Sequence, residues 1–283
     1  MENKREKIRL DVFLVSKNFI ESRSKARQII ENGSVKVNGN VCKNPAKLIG
    51  ENDNIEVLEI PKYVSRAGYK LEGLFSEVQI ELFNKTVCDI GSSTGGFVDF
   101  LLQHGAKKVY AVDVNTDQLH SKLTSDSRVV RIRKNAKELC VENIGEVVDI
   151  VTTDVSFISV RKIKENIWNI LAPQGKAIVL IKPQFEIGHQ HTGVIKSKEK
   201  HIQVLQDVLQ DFLRYGFVLE TLTYSKILGS DGNIEFFAIF TKQESFSVDE
   251  KESVIDFQIG DIIVKVVDSA WEEHYKCTDL KIP

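Results

Sequence analysis

The chain has 283 residues, a formal net charge of −2, 42% apolar residues and 28% charged residues. This length and apolar share allow one large or two modest folded domains, and they exclude a disordered, collagen-like or disulfide-framework chain. No run approaches the roughly 18 consecutive apolar residues that span a bilayer, and no apolar segment of a secretory signal follows the charged N-terminus.

The charge is unevenly distributed along the chain. Residues 1–62 contain 12 Lys+Arg and 9 Asp+Glu, whereas residues 243–283 contain 4 Lys+Arg and 10 Asp+Glu. An acidic tail therefore hides a modest positive balance over residues 1–242, which permits a nucleic-acid partner. The four cysteines are too far apart for a CxxC metal knuckle or redox pair, and they favour reduced thiols in a cytoplasmic protein without a bound metal.

The first sixty residues predict a small domain of two helices and a hairpin. Apolar residues at helical spacing predict a first helix over 9–15. A second helix follows Ser22, a plausible N-cap, and stops at Gly33. The predicted strands lie at 35–37, at 41 after the Asn38-Gly39 turn, and at 55–58.

Three segments of this region resemble the S4 RNA-binding domain: RLDVFLV, SRSKARQIIENGSVKVNG and GENDNIEV. The resemblance implies that the two helices and the following loop contact the RNA backbone, where exposed basic residues pair with phosphates. The alternative interpretation is a merely solvated helix face. The tripeptide at 9–11 also carries the catalytic Asp of pseudouridine synthases, but its position makes Asp11 a helix-start residue. The predicted RNA-binding residues are Arg5, Arg9, Arg23, Lys25, Arg27, Lys36 and Arg66.

From about residue 85, short Val/Ile-rich runs alternate with helical spacers, which predicts a buried, mostly parallel sheet in a doubly wound α/β domain. The predicted strands are 86–90, 108–112, 128–132, 147–153, 176–181, 217–224 and 234–241. The predicted helices include 96–103, 116–124, 158–171 and 198–214. The link at 225–233 has no room for a crossover helix, so the last two strands are expected to be antiparallel neighbours. This is the layout of the Rossmann-like, seven-stranded class I methyltransferase sheet.

A glycine-rich turn follows the first of these strands, in the sequence Asp-Ile-Gly-Ser-Ser-Thr-Gly-Gly-Phe at 89–97. Its spacing is not GxGxxG and no Lys-Ser/Thr follows, which argues against a dinucleotide or a triphosphate. Asp113 ends the next strand, where a carboxylate accepts hydrogen bonds from ribose hydroxyls. The pattern favours S-adenosylmethionine over a structural turn. The predicted cofactor-binding residues are Asp89, Gly91, Ser92, Ser93, Thr94, Gly95, Gly96, Phe97, Asp113 and Asp154.

Further charged residues are predicted at the same sheet edge. Asp154 and Lys182 end parallel strands, and Glu235 starts the antiparallel strand. The strings SRAGYKL, DIGSSTGGF, DVSFIS, KPQFE and GNIEF resemble the hemolysin A (TlyA) family of ribosomal RNA 2′-O-methyltransferases, which join an S4 domain to an FtsJ-like domain. The resemblance implies a cytidine ribose in ribosomal RNA as target, and a catalytic tetrad that falls on Lys70, Asp154, Lys182 and Glu235.

The chemistry suits these residue types. A ribose 2′-hydroxyl is a poor nucleophile, so the site must align it with the methyl donor and remove its proton. A lysine accepts a proton only in its neutral form, which burial and a second nearby ammonium favour. The hypothesis is that Lys182 deprotonates the hydroxyl and Lys70 holds the hydroxyl or a phosphate, while the two acids orient the lysines.

Three other features suggest less. His189 and His191 lack a third ligand, so surface histidines are favoured over a metal site, although a substrate role for their loop stays open. Trp168 and Phe157 are expected in the core. Partial alternation in 254–264 predicts one or two short strands in the tail.

The predicted organisation is an S4-like domain at 1–60, a linker at 61–65, a methyltransferase domain at 66–242 and an acidic extension at 243–283. Three alternatives stay open: another S4-bearing RNA-modifying enzyme, a non-catalytic RNA-binding ribosome-assembly factor, and a membrane-active hemolysin. The cofactor loop and the tetrad argue against the first two, and the absence of a spanning or secretory segment argues against the third.

Overall fold

The computed structural model describes residues 7–20, 22–31, 33–58, 61–187, 193–229, 231–243 and 252–275. The chain folds as two compact units that divide between Lys62 and Tyr63. The predicted linker at 61–65 therefore ends inside the second unit, where Tyr63 is buried and packs edge-on against Tyr69 at 5.1 Å.

The first unit is a small α+β fold. Its strands are β1 (Ile8–Arg9), β2 (Val35–Val37), β3 (Asn40–Val41), β4 (Leu48–Ile49) and β5 (Ile55–Val57). Its helices are α1 (Leu10–Ser16) and α2 (Arg23–Glu31). β2 pairs antiparallel with both β3 and β5, and β1 pairs with β4. The predicted hairpin is confirmed: Asn38 and Gly39 both have positive φ, as its tight turn requires.

Apolar residues of both helices close the core of this unit against β2. Leu10 and Leu14 of α1 and Ile30 of α2 are fully buried. The Ser22 hydroxyl accepts a hydrogen bond from Lys25 N at 3.3 Å, and Gly33 ends the helix with φ +81°. The predicted cap and stop of α2 are therefore confirmed.

The second unit is an α/β domain. Its strands are β6 (Thr86–Ile90), β7 (Lys108–Asp113), β8 (Val129–Arg133), β9 (Val148–Thr153), β10 (Leu171–Ile181), β11 (Phe217–Tyr224) and β12 (Phe236–Lys242). Its helices are α3 (Arg66–Glu77), α4 (Gly96–Gln103), α5 (Ser121–Thr124), α6 (Val141–Ile144), α7 (Lys164–Ile170), α8 (Pro183–Glu186), α9 (Lys198–Tyr215) and α10 (Glu252–Tyr275).

The seven strands form one sheet in the order β11-β12-β10-β9-β6-β7-β8. All neighbours from β10 to β8 are parallel, while β12 is antiparallel to both β10 and β11. The predicted fold class, a Rossmann-like seven-stranded sheet ending in an antiparallel pair, is confirmed. The chain runs from β6 outward through β7 and β8, then returns to β9 on the other side of β6. The carboxyl ends of β6 and β9 therefore flank the switch point where ligands bind in such sheets.

Two predicted helices are shorter than expected. The segment at 116–124 forms a 3-10 turn (Thr116–Gln118) and then α5, because His120 adopts an extended conformation and caps α5 by accepting a hydrogen bond from Lys122 N. The segment at 158–171 likewise forms a 3-10 turn (Val160–Ile163) before α7.

The prediction of strands in the tail is wrong, because residues 252–275 form the helix α10. Its buried residues Ile263, Val267 and Ala270 recur at helical spacing and belong to the main core. α10 packs against α9 and β11. The packing of α10 favours a helix over the predicted strands, since tertiary contacts override weak local propensity.

Candidate active site

The glycine-rich turn lies at the carboxyl end of β6. Gly91, Ser93 and Gly95 have φ values of +87°, +47° and +94°, so the backbone alternates through the left-handed region. Gly91 N and Ser92 N donate to Val112 O of β7 at 2.8 and 3.0 Å. The turn is thereby fixed across the ends of two parallel strands.

The glycines are required by contacts within the protein. A Cβ on Gly91 would lie 2.6 Å from Asp154 O, and a Cβ on Gly96 would lie 2.3 Å from Ser65 Oγ. A Cβ on Gly95 would lie 2.2 Å from Leu123 Cδ1. Gly91, Gly95 and Gly96 were predicted as cofactor-binding residues. The structure shows that they bring the turn into contact with the end of β9 and the start of α3.

Four charged side chains form two ion pairs beside this turn. Lys70 Nζ lies 2.6 Å from Glu235 Oε2, and Lys182 Nζ lies 2.6 Å from Asp154 Oδ1. Lys182 Nζ also donates to Ser156 Oγ at 3.1 Å. These are the four residues of the predicted tetrad, and all of them line one cavity of about 390 Å³. The structure therefore brings them together from α3, from the residues that directly follow β9 and β10, and from the residue that precedes β12.

Both pairs are largely removed from water. Lys70, Lys182 and Glu235 are 7%, 8% and 2% exposed. A buried charge requires a partner, so each acid fixes the position of its lysine and compensates its charge. The remaining lining of the cavity comes from β6 and the turn, from the start of α3, and from the loop after β9: Ser65, Arg66, Ala67, Asp89, Gly91, Ser92, Ser93, Thr94, Gly96, Phe97 and Ser156.

A second cavity of about 550 Å³ continues along the same sheet edge and shares Gly91, Ser93 and Asp154 with the first. Asp113 stands at its wall, where Oδ2 accepts from Ser93 N and Oδ1 from Asn115 N, both at 2.9 Å. The carboxylate is thus held in a fixed orientation at the rim, at the position predicted to meet ribose hydroxyls.

Two further residues line the second cavity and were not predicted from the sequence, Gln118 and Asn135. Asn135 follows β8 just as Asp113 ends β7. The same rule about carboxyl ends of parallel strands, applied one strand further, would have found it. Gln118 lies in a 3-10 turn, and no local pattern marked it.

Asp89 is a buried acid of the site. It is 1% exposed and its Oδ1 accepts from Thr152 Oγ1 at 2.6 Å, whereas Oδ2 is buried without a partner among the described residues. Burial, aided by the nearby Asp154 and Asp113, raises the pKa of Asp89 to about 7. An unsatisfied carboxylate oxygen in the lining of the cavity suits a cationic ligand group such as an α-ammonium.

The predicted basic residues lie in both units. In the first unit, Arg23, Lys25 and Arg27 are exposed on α2, while Arg9 and Lys36 are half-buried. In the second unit, Arg66 is exposed at the cavity and donates to Leu228 O at 2.7 Å. Arg5 lies outside the described residues.

Phe157 contradicts the expectation of a core position. Its side chain is 84% exposed, it has φ +64°, and its ring lies 5.1 Å from that of Phe185. It follows Asp154 in the loop after β9 and therefore lies beyond the edge of the sheet, outside the core. Trp168 is half-buried and packs edge-on against Phe217 at 5.0 Å, as a core-edge residue.

Neither a metal cluster nor a membrane-spanning helix occurs among the residues with described positions. His189 and His191 lie outside that part of the chain.

Comparison with known proteins gives consistent matches for both units. The FtsJ-like methyltransferase family matches residues 63–242, and the S4 domain family matches residues 8–55. Hemolysin A of Brachyspira hyodysenteriae is 44% identical over 238 residues, which cover 82% of this chain and 99% of that protein. The 23S rRNA (cytidine-2′-O)-methyltransferase TlyA of Campylobacter jejuni is 34% identical over 254 residues, 81% of this chain and 98% of that enzyme.

A solved structure described as a hemolysin from Streptococcus thermophilus superimposes with a TM-score of 0.69 at 35% identity. The match covers 96% of this chain and 98% of that one.

Proposed function

Since the chain belongs to the hemolysin A/TlyA family of S4-bearing, FtsJ-like rRNA methyltransferases, we propose that it transfers a methyl group from S-adenosylmethionine to a ribose 2′-hydroxyl, that of a cytidine, in ribosomal RNA. The observation that carries the proposal is the convergence of two buried Lys–acid pairs on the cavity that the glycine-rich turn lines.

The two connected cavities suit S-adenosylmethionine. The unpartnered Oδ2 of Asp89 would hold the α-ammonium, and the fixed carboxylate of Asp113 would hold ribose hydroxyls, with Gln118 and Asn135 beyond it. When bound, the cofactor supplies an electrophilic methyl group. The residues that bind it need only place that group beside the tetrad.

The tetrad then has to orient the target hydroxyl and take its proton. We assign proton removal to Lys182, because Asp154 and Ser156 fix its Nζ at the end of β10. An ammonium cannot act as a base, so Lys182 must first give up a proton to Asp154 or to solvent before it takes the proton of the hydroxyl. Lys70, held by Glu235, would contact the target hydroxyl or a neighbouring phosphate. Positioning supplies a large part of the rate in such a direct transfer, and general-base assistance adds about 10²–10⁴-fold.

The RNA partner rests on the S4 unit and on the substrate named for the Campylobacter jejuni relative. We propose ribosomal RNA or ribosomal subunits as that partner, without a metal, and hence a cytoplasmic place of action where these subunits are made.

The test is tritiated methyl transfer to isolated 30S and 50S subunits and to naked 16S and 23S rRNA, followed by mapping of 2′-O-methylated positions. We expect label at a cytidine in at least one substrate, and loss of at least about 10²-fold for Lys182→Ala with cofactor and RNA binding retained. Full transfer by Lys182→Ala would remove the base assignment. Retained RNA binding with no transfer to any substrate would instead favour a non-catalytic assembly factor.

A further inference from the structure

A single buried carboxylate in the first unit contacts two of the basic residues predicted to bind RNA. Asp11 is 0% exposed. Arg9 binds it through two N–H groups, from Nε to Oδ1 and from Nη2 to Oδ2, both at 2.9 Å. Arg23 Nε donates to the same Oδ2 at 3.1 Å. The residue expected to serve only as a helix start therefore joins the first turns of α1 and α2.

The two arginines still face solvent. Their side chains are 40% and 57% exposed, although the carboxylate between them is inaccessible. Because both contact one oxygen, Arg9 Nη2 and Arg23 Nε lie no more than about 6 Å apart. Three of the ten N–H groups on the two guanidinium groups donate to Asp11, and the other seven have no acceptor among the described residues, so they stay available to an outside acceptor.

This arrangement exceeds what neutralising one buried carboxylate requires. A bidentate arginine already satisfies such a group, and the second arginine leaves a net positive charge of one at the surface. The hydrogen bond from Arg9 lowers the pKa of Asp11 to about 2, so the carboxylate stays charged at neutral pH. The pair of guanidinium groups is therefore held in place before any ligand arrives.

We propose that Asp11 is a positioning residue, which holds Arg9 and Arg23 as a paired site for RNA phosphates. The inference rests on the proposed function, because it takes RNA as the partner of this unit. Guanidinium groups that are already ordered lose less conformational freedom on binding, and their planar geometry matches phosphate oxygens. The acid thus strengthens the binding of a polyanion.

Because an acid is inferred to strengthen the binding of RNA, Asp11→Asn tests the inference. Removal of a negative charge from an RNA-binding unit should tighten RNA binding if bulk electrostatics alone governs it. If Asp11 positions the arginines, the variant binds at least about fivefold more weakly. The slope of log affinity against log salt becomes shallower by about one phosphate contact or more. The assay is filter binding of the full chain to a 23S rRNA transcript without S-adenosylmethionine, between about 50 and 200 mM KCl.

A second variant avoids a change at the buried position. Arg23→Lys keeps the charge, but one ammonium cannot serve Asp11 and a phosphate with the geometry of a guanidinium group. We expect at least about threefold weaker binding. Arg214→Lys is the matched control, since it makes the same change at an exposed helix position outside the predicted RNA-binding residues, and it should stay within about twofold of the original chain.

The inference is overturned if folded Asp11→Asn, checked by circular dichroism, binds RNA as tightly as the original chain or more tightly. It is equally overturned if Arg23→Lys and Arg214→Lys bind alike, which decides the matter should Asp11→Asn fail to fold. Methyl transfer is measured separately on the same proteins. Normal binding ratios with no methyl transfer by the original chain would reject the proposed reaction and leave the phosphate site standing.

Discussion

The ion pair between Lys70 and Glu235 gives a sharp prediction, because its two charges are nearly inaccessible to water. Their side chains are 8% and 3% exposed, and Nζ lies 2.6 Å from Oε2. Glu235→Gln removes the negative charge but retains an oxygen that accepts one hydrogen bond. It leaves the Lys70 ammonium buried without a counter-ion, the situation in which breaking one partner costs about 3–5 kcal/mol.

Since the amide still accepts one hydrogen bond, we expect the lower end of that range, about 3 kcal/mol. For a unit of this size, 1 kcal/mol corresponds to about 2–4 °C, so the melting temperature should fall by roughly 6–12 °C. The assay is calorimetry at neutral pH on the full chain. Methyl transfer measured well below the lowered melting temperature should also be reduced, because Lys70 loses the partner that orients it.

Two comparisons separate this effect from general fragility. Glu138→Gln breaks an exposed pair with Lys134, 3.7 Å long with side chains 66% and 34% exposed, and should cost no more than about 0.5 kcal/mol. The double variant Lys70→Met/Glu235→Leu replaces the buried pair by apolar groups and should regain most of the stability while remaining inactive. A melting temperature of Glu235→Gln within 1 °C of the original chain would refute the reasoning.

Four further predictions concern other parts of the second unit. The affinity for S-adenosylmethionine should rise from pH 6 to pH 8, because Asp89, with a pKa of about 7, is mostly a carboxylate only above that pH and then attracts the α-ammonium of the cofactor. Asp89→Asn should remove this pH dependence in calorimetric titrations. The free energy of unfolding of the ligand-free protein should fall as pH rises from about 4 to 7, because folded Asp89 retains its proton in this range and unfolded Asp89 releases it. In chemical unfolding, Asp89→Asn should lack this dependence on pH. An unchanged dependence would exclude Asp89 as its source. Gly91→Ala places a Cβ 2.6 Å from Asp154 O at a φ of +87°, so it should lower the free energy of unfolding by roughly 1–3 kcal/mol and weaken cofactor binding. Normal cofactor binding would mean that the turn tolerates the added methyl group. Ile263→Ala should destabilise the unit by about 2–4 kcal/mol in urea unfolding if α10 is part of the core, and an effect below about 0.5 kcal/mol would mean that the helix is peripheral.

Much of the fold could be predicted from local sequence. The alternation of Val/Ile-rich runs with helical spacers reflects strands covered on both faces, a pattern that few other folds produce. Turns with positive φ are predicted by the residue types that tolerate it, as at Asn38-Gly39 and Gly33. The glycine-rich turn and the acid ending the next strand were also predictable, because their spacing follows from one strand-turn-helix unit.

The ends of short helices and the secondary structure of the tail could not be predicted from the sequence. Residues 254–264 carry β-branched residues whose partial alternation resembles a strand, whereas the helix α10 that contains them packs against α9 and β11. Phe157 shows the opposite error: its apolar side chain suggested the core, whereas its loop lies beyond the carboxyl end of β9 and leaves it exposed.

The sequence by itself determined which charged residues this protein places at the edge of its sheet, because a strand end is a local feature. Only the tertiary structure decided the partners: Lys70 with Glu235 across 165 positions of sequence, and Lys182 with Asp154 across adjacent parallel strands. It also turned Asp11 from a helix-start residue into the contact between two arginines. Such pairings depend on the order of strands and on which faces are buried, and these arise from the collective removal of apolar surface from water rather than from any local pattern.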